Sequence, residues 1–324
     1  MTRRFKIVST DPLHPQAEAT LREAHDYRSG GDGTSLHDLV ADADALIVRR
    51  KLPDDIFDHA PKLLACVRHG VGLDFVPVEA ATSRGIPVAN LLDANKQSVV
   101  EYVVATALML ARGLAGIDRA LKSEGWNARN GYDGGFELFG KTLGVVGCGR
   151  IGRGVADAMQ AAFAMTVVGH AARPFEHDFV VSISLEDLFA RADIVTLHLP
   201  STPQTRGLIG SALFERMKPG AILINAARGD VVDDRALLAG LEAGRPSAAA
   251  IDVFEPEPAP RDHPLLRYDR VFATPHIAGL SRESAIRMST QAVTETLKVL
   301  HGEKPTSLIN PAVWETHIAR LNGA

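Results

Sequence analysis

The sequence predicts an α/β protein with parallel sheets, organised as about two domains. Short apolar runs that suit buried strands alternate with helix-compatible segments along most of the chain, which is typical of parallel sheets covered by helices. Near the middle of the chain, a glycine-rich turn joins one such run directly to a helical pattern. The length of 324 residues is ordinary for two domains of this class.

The composition argues against several classes of protein. Hydrophobic residues make up 46% of the chain and charged residues 23%, which is ordinary for a globular protein with a sizeable core. A net charge of −4 without a long basic run argues against binding to nucleic acid or to an anionic membrane. The two cysteines, Cys66 and Cys148, are too few for a disulfide framework, and the first residues lack an apolar run long enough for a signal peptide. We therefore expect a cytoplasmic protein.

The first 90 residues have the pattern of one small α/β unit. Apolar strand-like runs lie at 5–8, 45–49 and 63–67, and a further short strand is expected within 85–90. The third run leads into a glycine-containing loop at 68–72.

A long helix is expected from Ser98 to about Leu121, where Val, Ala, Leu and Met dominate. Ser98 and Glu101 match the S-x-x-E capping box, which would place the start of the helix at Ser98. The helix is apolar on nearly all sides, with Glu101 and Arg112 as the main exceptions. Such a surface predicts burial on more than one side, inside a domain or in a dimer interface.

The glycine-rich turn reads GCGRIG at 147–152 and follows the strand-like run at 143–146. This is the G-x-G-x-x-G pattern in the strand–turn–helix context that dinucleotide binding requires. Gly147 would permit the tight turn, Gly149 would let a pyrophosphate approach the backbone, and Gly152 would let helix and strand pack closely. The N–H groups and the positive dipole end of the helix would face the phosphates. The turn therefore predicts a dinucleotide-binding domain.

Further βα units follow this turn. The predicted elements are strands at 165–169, 193–200, 221–225, 248–253 and 271–275, a helix capped by Ser184, a helix around 235–243 and a long amphipathic helix over 281–300. Apart from this alternation of strands and helices, the chain contains no internal repeat.

The strand at 165–169 is not followed by the acid that NAD-preferring folds use to bind the ribose 2′-OH. Ala171 occupies the place of that acid, and Arg173 lies two residues later. Without a carboxylate the repulsion toward a 2′-phosphate is absent, and a guanidinium can pair with the phosphate bidentately. We predict that NADP is preferred, with NAD as the other cofactor. The alternative is a solvated Arg173 and poor discrimination.

Polar residues follow three of the other predicted strands. They are Arg228, the two acids Glu255 and Glu257, and His276. Since the carboxyl ends of parallel strands lie at one edge of a sheet, these residues are expected near the cofactor. Each of these residues, taken alone, is typical of an ordinary surface or structural residue. Together they supply what carbonyl reduction needs: a cation, an acid that protonates the alkoxide and a carboxylate that orients the acid.

Several stretches occur along nearly the whole chain in a fixed order: GVGLD at 70–74, the helix at 98–112, GCGRIG, LHLPSTPQTRGLI, NAARGDVVDD, DVFEPEP and TPHIAG. In these motifs and their order, the chain resembles the D-isomer-specific 2-hydroxyacid dehydrogenase family, which includes phosphoglycerate dehydrogenase and glyoxylate/hydroxypyruvate reductases. The resemblance implies an NAD(P)-dependent oxidoreductase that acts on the CH–OH group of small D-2-hydroxy acids.

The resemblance also implies roles for individual residues. Arg228 would bind the substrate carboxylate and carbonyl, His276 would be the general acid and base, and Glu257 would be its partner in preference to Glu255. Val71 and Gly72 would bind the substrate carboxylate through their backbone. The implied cofactor contacts are Gly147, Gly149, Arg150, Ile151, Gly152, Arg173, Pro200, Ala226, Asp252, His276 and Gly279, with Asp252 near the nicotinamide amide.

The implied fold consists of two Rossmann-like, doubly wound parallel-sheet domains with the active site in the cleft between them. The substrate-binding domain would comprise 1–97 plus 290–324, with 308–311 rejoining it, and the dinucleotide-binding domain would comprise 98–289. The helix after Ser98 would form the interface of a homodimer. No regulatory domain is expected.

We expect an NADPH-linked reductase of small 2-keto acids such as glyoxylate or hydroxypyruvate, with D-3-phosphoglycerate dehydrogenase as the second interpretation. Arg49 and Arg68 resemble phosphate-binding arginines, which favours an anionic substrate, although both could instead be structural. The missing acid at Ala171 opposes the phosphoglycerate interpretation. A non-enzymatic NAD(P)H sensor of the corepressor type is the alternative of another class. No HExxH, CxxC or clustered His and Asp ligands are apparent, so no metal site is predicted.

Overall fold

The computed structural model describes residues 3–323, which divide into two compact units. Unit 1 contains the residues up to 95 together with those from 281 onward, and unit 2 is Lys96–Leu280. The predicted boundary at 97/98 lies close to the observed one. The boundary predicted at 289/290 needs correction, because it would cut through the helix Arg282–Leu300, which belongs to unit 1 as a whole.

Strands and helices alternate in both units. The strands are β1 (Lys6–Ser9), β2 (Asp26–Ser29), β3 (Ala45–Val48), β4 (Ala65–Arg68), β5 (Val88–Ala89), β6 (Thr142–Val146), β7 (Thr166–His170), β8 (Val181–Ser182), β9 (Ile194–Leu197), β10 (Ile222–Asn225), β11 (Ala248–Ile251) and β12 (Val271–Ala273). The α-helices are α1 (Pro15–Ala24), α2 (Leu36–Val40), α3 (Val78–Ser83), α4 (Lys96–Ala111), α5 (Leu114–Glu124), α6 (Arg150–Phe163), α7 (Leu185–Arg191), α8 (Ser211–Phe214), α9 (Asp234–Glu242), α10 (Arg282–Leu300) and α11 (Trp314–Asn322). Short 3-10 helices lie at Ile56–His59, Gly125–Gly131, Gly229–Val231, Pro264–Arg267 and Pro311–Val313.

Unit 1 is built on a parallel five-stranded sheet with the order β2-β1-β3-β4-β5. All four residues of the central strand β3 are buried, because both faces of the sheet are covered. Alternate residues contribute to different cores: Ile47 packs toward α1 and α10, whereas Leu46 packs toward α2 and Ile56–His59. The edge strand β2 was not predicted, since its sequence, DYRS, lacks the apolar run of the inner strands.

The C-terminal part of unit 1 pairs with the edge strand β5. Leu308 forms an antiparallel bridge with Ala89, and the N–H of Ile309 donates to Val88 O at 2.8 Å. The side-chain oxygen of Asn310 accepts the N–H of Val88 at 2.8 Å, and its amide nitrogen donates to Ile86 O at 2.9 Å. These bonds supply partners for the backbone of β5 and hold the end of the chain on the unit where it begins.

Unit 2 contains a parallel seven-stranded sheet with the order β12-β11-β10-β9-β6-β7-β8. The chain starts in the middle, at β6, builds outward through β7 and β8, and then returns to add β9 to β12 on the other side. In open sheets of this kind, ligands bind at the carboxyl ends of the strands where the strand order reverses, here between β6 and β9. The predicted α/β class with two doubly wound parallel sheets is confirmed.

The helix predicted from Ser98 to Leu121 needs correction in three respects. It begins two residues earlier, at Lys96, so Ser98 is a buried residue inside α4 and the predicted capping box is absent. It breaks at Gly113, whose φ of 58° is accessible to glycine at little cost, and continues as α5. Among residues 3–323, no single helix is long and apolar enough to cross a membrane; α4 and the segment Leu114–Gly131 pass that test only as a pair bent by 54°.

Candidate active site

The turn between β6 and α6 has the geometry that its three glycines predict. Gly147 has a φ of +96°, and a Cβ there would lie 2.5 Å from the carbonyl oxygen of His198. A Cβ at Gly152 would lie 2.2 Å from Gly147 O, so any side chain would push α6 away from the strand. A Cβ at Gly149 would meet nothing within 4 Å. Gly147 and Gly152 thus allow backbone segments to pack closely, and Gly149 leaves the space beside the backbone free for a ligand.

This turn fits a pyrophosphate group. Gly149 is the residue before α6, a helix of 14 residues, and no side chain of its own caps the first N–H groups. Those N–H groups and the helix dipole favour an anion, and the open space at Gly149 permits its approach. The neighbouring Cys148 is buried, and burial raises its pKa to about 11, so the thiol is a packing group in this turn.

Arg173 lies in the loop after β7 and is exposed. Within residues 3–323 its guanidinium forms no hydrogen bond or ion pair, and Ala171 places no carboxylate at the end of the strand. His170, the last residue of β7, is held by its contact of 3.1 Å between Nδ1 and Ile183 O. The loop therefore offers an exposed cation without a protein partner within residues 3–323, two residues after the place of an NAD-type acid.

His276 and Glu257 form a pair in unit 2. His276 Nδ1 lies 2.8 Å from Glu257 Oε2, and Glu257 Oε1 accepts the N–H of Phe254 at 3.1 Å. Burial opposes ionisation of Glu257, but the hydrogen bond and charge of His276, the Phe254 N–H and the charge of Arg228 together hold the pKa of Glu257 below its ordinary value. Glu257, and not Glu255, is thus the carboxylate that contacts the histidine.

The loop that carries His276 is organised by Asp252. Asp252 is 1% exposed, and its Oδ1 accepts the hydroxyl of Thr274 at 2.6 Å and the N–H of Ile277 at 2.8 Å. Its Oδ2 accepts the N–H of Ala278 at 2.8 Å. The hydroxyl of Thr274 also lies 2.7 Å from that of Tyr102 on α4. The three contacts of the Asp252 carboxylate are thus with the histidine loop, while its N–H donates to Asn225 O at 3.0 Å; its predicted role as a cofactor contact stays a prediction.

His276 has a left-handed backbone conformation, with a φ of +55°. For a residue other than glycine this conformation is uncommon and requires support from its surroundings. The support comes from its own N–H, which lies 2.7 Å from Asp252 O and 3.1 Å from Thr274 O. The backbone and the carboxylate of Asp252 therefore both fix where the imidazole is placed.

Arg228 follows β10 in a turn fixed by Asn225. Asn225 is buried; its Oδ1 accepts the N–H of Ala227 at 3.0 Å and its Nδ2 donates to Arg228 O at 2.9 Å. A Cβ at Gly229 would lie 2.1 Å from the carbonyl carbon of Phe254, so only glycine fits. This close approach joins the Arg228 turn to the loop that carries Glu257, and both belong to unit 2.

A cavity of about 500 Å³ opens beside the pair of His276 and Glu257. Its other walls are mostly apolar side chains, among them Phe254, Leu266 and Pro275. An enclosure of this size is ample for a small organic acid.

In unit 1, the loop after β4 presents two backbone N–H groups. Among residues 3–323, the N–H groups of Val71 and Gly72 donate to no protein acceptor, whereas Val71 O accepts Asn90 Nδ2 at 2.6 Å. Adjacent N–H groups of this kind can bind a carboxylate. The structure thus shows donors at both residues that the family resemblance singles out.

Arg68 has structural contacts. Its guanidinium donates to Val48 O at 2.9 Å and to Gly72 O at 3.1 Å, and it lies 4.4 Å from the centre of the Phe75 ring. Arg49 also donates to a backbone carbonyl, that of Pro12. These contacts with backbone carbonyl groups correspond to the structural alternative.

His69 was not identified from the sequence. It is 7% exposed, and its Nε2 lies 3.0 Å from the hydroxyl of Ser289 on α10, which also accepts the N–H of His14. Burial, with the charges of Arg49 and Arg68, lowers the pKa of His69 to about 3, so the ring is neutral. The loop at 70–72 is therefore tied to α10 by a neutral hydrogen bond. The only sequence signal was the position of His69 beside that loop.

The prediction that His and Asp ligands do not cluster is wrong in one place. His37, Asp55 and His59 each offer a ligand atom, and these atoms lie within 4.8 Å of one another. Asp55 and His59 are only four residues apart, but His37 lies 18 residues before Asp55 and joins them only in the fold.

Glu257→Gln should reveal the ionisation of this carboxylate. Since the folded state lowers its pKa below the ordinary 4.5, ionised Glu257 stabilises the fold above about that pH, and the contribution is lost as pH falls through the lowered pKa. Urea midpoints should show the variant less stable than the wild type near neutral pH, with the difference shrinking on acidification. The matched control is Glu255→Gln, at an exposed side chain. A pH-independent difference for Glu257→Gln would contradict the assignment.

Comparison with known proteins identifies the family. Residues 104–278 match the model described as the NAD-binding domain of D-isomer specific 2-hydroxyacid dehydrogenases. The chain is 41% identical to D-3-phosphoglycerate dehydrogenase of Methanocaldococcus jannaschii, over 98% of this chain and 62% of that protein. It is 38% identical to glyoxylate reductase of Aeropyrum pernix, over 96% of this chain and 97% of that protein. The chain thus spans about three fifths of the phosphoglycerate dehydrogenases that it matches.

Solved structures agree with these sequence relatives. The crystal structure of an NADPH-dependent glyoxylate/hydroxypyruvate reductase from Sinorhizobium meliloti, in complex with NADP and malonate, superposes with a TM-score of 0.83 at 27% identity. The superposition covers 95% of this chain and 97% of that one. The chain therefore belongs to the D-isomer specific 2-hydroxyacid dehydrogenase family.

Proposed function

We propose that the chain is an NAD(P)-dependent D-2-hydroxyacid dehydrogenase that works as an NADPH-linked reductase of small 2-keto acids such as glyoxylate or hydroxypyruvate. The observation that carries this proposal is the contact of 2.8 Å between His276 and Glu257, with Arg228 close enough for its charge to lower the pKa of Glu257. Family membership supplies the reaction class. The open glycine turn before α6 suits the cofactor.

Each polar residue has a distinct part in this proposal. The guanidinium of Arg228 holds the substrate carboxylate and polarises the carbonyl. His276 Nε2 delivers the proton to the carbonyl oxygen, since Nδ1 is occupied by Glu257. The ionised Glu257 keeps a proton on Nδ1 and so sets the orientation of the ring. The N–H groups of Val71 and Gly72 bind the substrate carboxylate. The nicotinamide, when bound, supplies the hydride.

The cofactor would be held by the residues that the family resemblance implies. Gly147, Gly149 and Gly152 form the turn for the pyrophosphate, and Arg173 pairs with the 2′-phosphate of NADP. Its exposure and its lack of a protein partner within residues 3–323 support this role. The Sinorhizobium meliloti reductase, whose structure contains NADP, supports the same choice.

D-3-phosphoglycerate is the second candidate substrate, because it is named for relatives that are 36% to 41% identical to this chain. One observation favours the smaller keto acids. Arg68, a candidate for phosphate binding, donates its N–H groups to backbone carbonyls.

We further propose a homodimer in the cytoplasm. The helix α5 has no buried residue, and large apolar side chains are exposed on it and just after it: Leu114 is 48% exposed, Leu121 46% and Trp126 78%. Apolar side chains at this spacing on one segment are typical of an interface that a second copy would cover.

His276→Ala and Arg228→Ala should separate chemistry from cofactor binding. We expect kcat for keto-acid reduction to fall by about 10²–10⁴-fold, since a positioned acid and a charge on the oxyanion are lost. NADPH binding, followed by its fluorescence, should stay near the wild-type value. Glu255→Gln is the control and should retain turnover.

The wild type should be assayed for NADPH oxidation with glyoxylate, hydroxypyruvate, pyruvate and 2-ketobutyrate, and for NAD(P) reduction with D-3-phosphoglycerate. Turnover only with phosphoglycerate would show that D-3-phosphoglycerate, the second candidate, is the substrate. Cofactor binding without turnover of any acid would favour the non-enzymatic sensor. Near wild-type kcat in His276→Ala would refute the assigned mechanism.

Arg173→Ala should raise KM for NADPH by about tenfold to hundredfold, since a charge-assisted contact with the 2′-phosphate is lost, and leave KM for NADH nearly unchanged. Steady-state kinetics with both cofactors measures this. The control is Arg191→Ala, at an exposed position at the end of α7. A wild-type kcat/KM with NADH that equals or exceeds the value with NADPH would overturn the NADP preference.

The double variant Leu121→Glu/Trp126→Glu should be monomeric in sedimentation velocity, whereas the wild type should sediment as a dimer. The charges would lie on the apolar surface that the second copy covers. Val181→Glu, on the exposed edge strand β8, should leave the dimer intact. A monomeric wild type at micromolar concentration would exclude the homodimer.

A further inference from the structure

Three metal-binding side chains meet on the surface of unit 1, in a part of the fold that the proposed function does not use. His37 Nε2 lies 3.0 Å from Asp55 Oδ1, and His59 Nε2 lies 3.7 Å from Asp55 Oδ2. The two imidazole rings are stacked, with their centres 3.9 Å apart. Each side chain is between 38% and 56% exposed, so the group is open to solvent.

The backbone beneath these side chains is fixed by the core. His37 is in α2, whose Leu39 and Val40 are buried. His59 ends the 3-10 helix Ile56–His59, whose Ile56 and Phe57 are buried in the same hydrophobic cluster. The ligand atoms are thus brought together by two anchored elements, so binding an ion would cost little ordering of the backbone.

We propose that His37, Asp55 and His59 form a binding site for a divalent first-row transition metal ion of the Zn²⁺ class. Two imidazoles and one carboxylate are the donor set that suits Zn²⁺, Ni²⁺ and Cu²⁺, whereas Mg²⁺ and Ca²⁺ prefer oxygen ligands alone. The solvent-exposed side of the group leaves room for water as a further ligand.

The distances are close to those that such an ion requires. In a tetrahedral site with metal–ligand bonds of about 2.0–2.1 Å, donor atoms are about 3.3 Å apart. The contact between His37 and Asp55 already has nearly this length, and the one between His59 and Asp55 needs to shorten by a few tenths of an ångström. The stacked rings of His37 and His59 must rotate so that a nitrogen lone pair of each points at the same ion. Both side chains are half-exposed, so they have room for this rotation.

The local charge favours a cation. Asp55 places a carboxylate between the two imidazoles, in contact with both. Asp54, the preceding residue, is also exposed and adds negative charge at the same surface. An ion bound here would bridge α2 and the 3-10 helix and would therefore stabilise unit 1, by an amount that rises with the logarithm of its affinity.

The test is direct metal binding by the full chain after removal of any affinity tag. We expect one equivalent of Co²⁺ to bind with a visible absorption band, to be displaced by Zn²⁺ and to be unaffected by equimolar Mg²⁺ or Ca²⁺. His37→Ala and His59→Ala should each weaken the affinity at least about tenfold, and Asp55→Asn should also weaken it. His301→Ala, at an exposed histidine elsewhere in unit 1, is the matched control and should bind as the wild type does.

A second measurement guards against variants that fold poorly. Zn²⁺ should raise the Tm of the wild type and of His301→Ala, and should not raise that of His37→Ala/His59→Ala, whose metal-free Tm should match the wild type. Equal Co²⁺ affinity in the wild type and in His37→Ala/His59→Ala would overturn the site. So would the absence of bound Co²⁺ and Zn²⁺ at micromolar metal, in which case the three residues are only a hydrogen-bonded surface group. Neither result bears on the dehydrogenase proposal, because the readout is binding and not turnover.

Discussion

The buried carboxylate of Asp252 fixes the position of the proposed catalytic histidine. A carboxylate that is 1% exposed has lost its hydration, and this cost is offset here by one hydroxyl and two backbone N–H groups. Without that carboxylate, the N–H groups of Ile277 and Ala278 would have no acceptor, at a cost of about 1–3 kcal/mol each. The left-handed backbone of His276 is supported separately, by the backbone carbonyl oxygens of Asp252 and Thr274, which accept its N–H. Asp252 therefore acts on the proposed chemistry through the shape of the loop.

Close contacts between backbone segments fix the positions of the other parts of the site. Gly229 brings the Arg228 turn against the carbonyl of Phe254, whose own N–H donates to Glu257. A shift of the Arg228 turn would thus move the carboxylate that orients His276. Gly147 and Gly152 do the same for the cofactor turn, where any Cβ would collide with backbone. Glycine at these contacts lets two backbone segments approach more closely than any residue with a Cβ would allow.

The sequence was most informative where structure depends on neighbours along the chain. The inner strands, the turn at 147–152 and the capped helix α10 follow from local apolar patterns and glycine positions. The polar edge strand β2, DYRS, and the break at Gly113 carry no such pattern, because tertiary packing decides them. At the site, Glu257 could be chosen over Glu255 only through the family pattern. Contacts such as His69 with Ser289, and His37 with Asp55 and His59, depend on the fold.

The contacts of Arg68 bear on the choice between the two candidate substrates. Nε of Arg68 donates to the carbonyl of Gly72 and Nη1 to that of Val48, so these two nitrogens are already engaged with the backbone. The same arginine bonds to the loop in which the N–H groups of Val71 and Gly72 have no protein acceptor within residues 3–323. A carboxylate is common to both candidate substrates, so this loop suits either of them. The backbone bonds of Arg68 are what supports the proposed choice of glyoxylate or hydroxypyruvate, because they give this arginine a structural role.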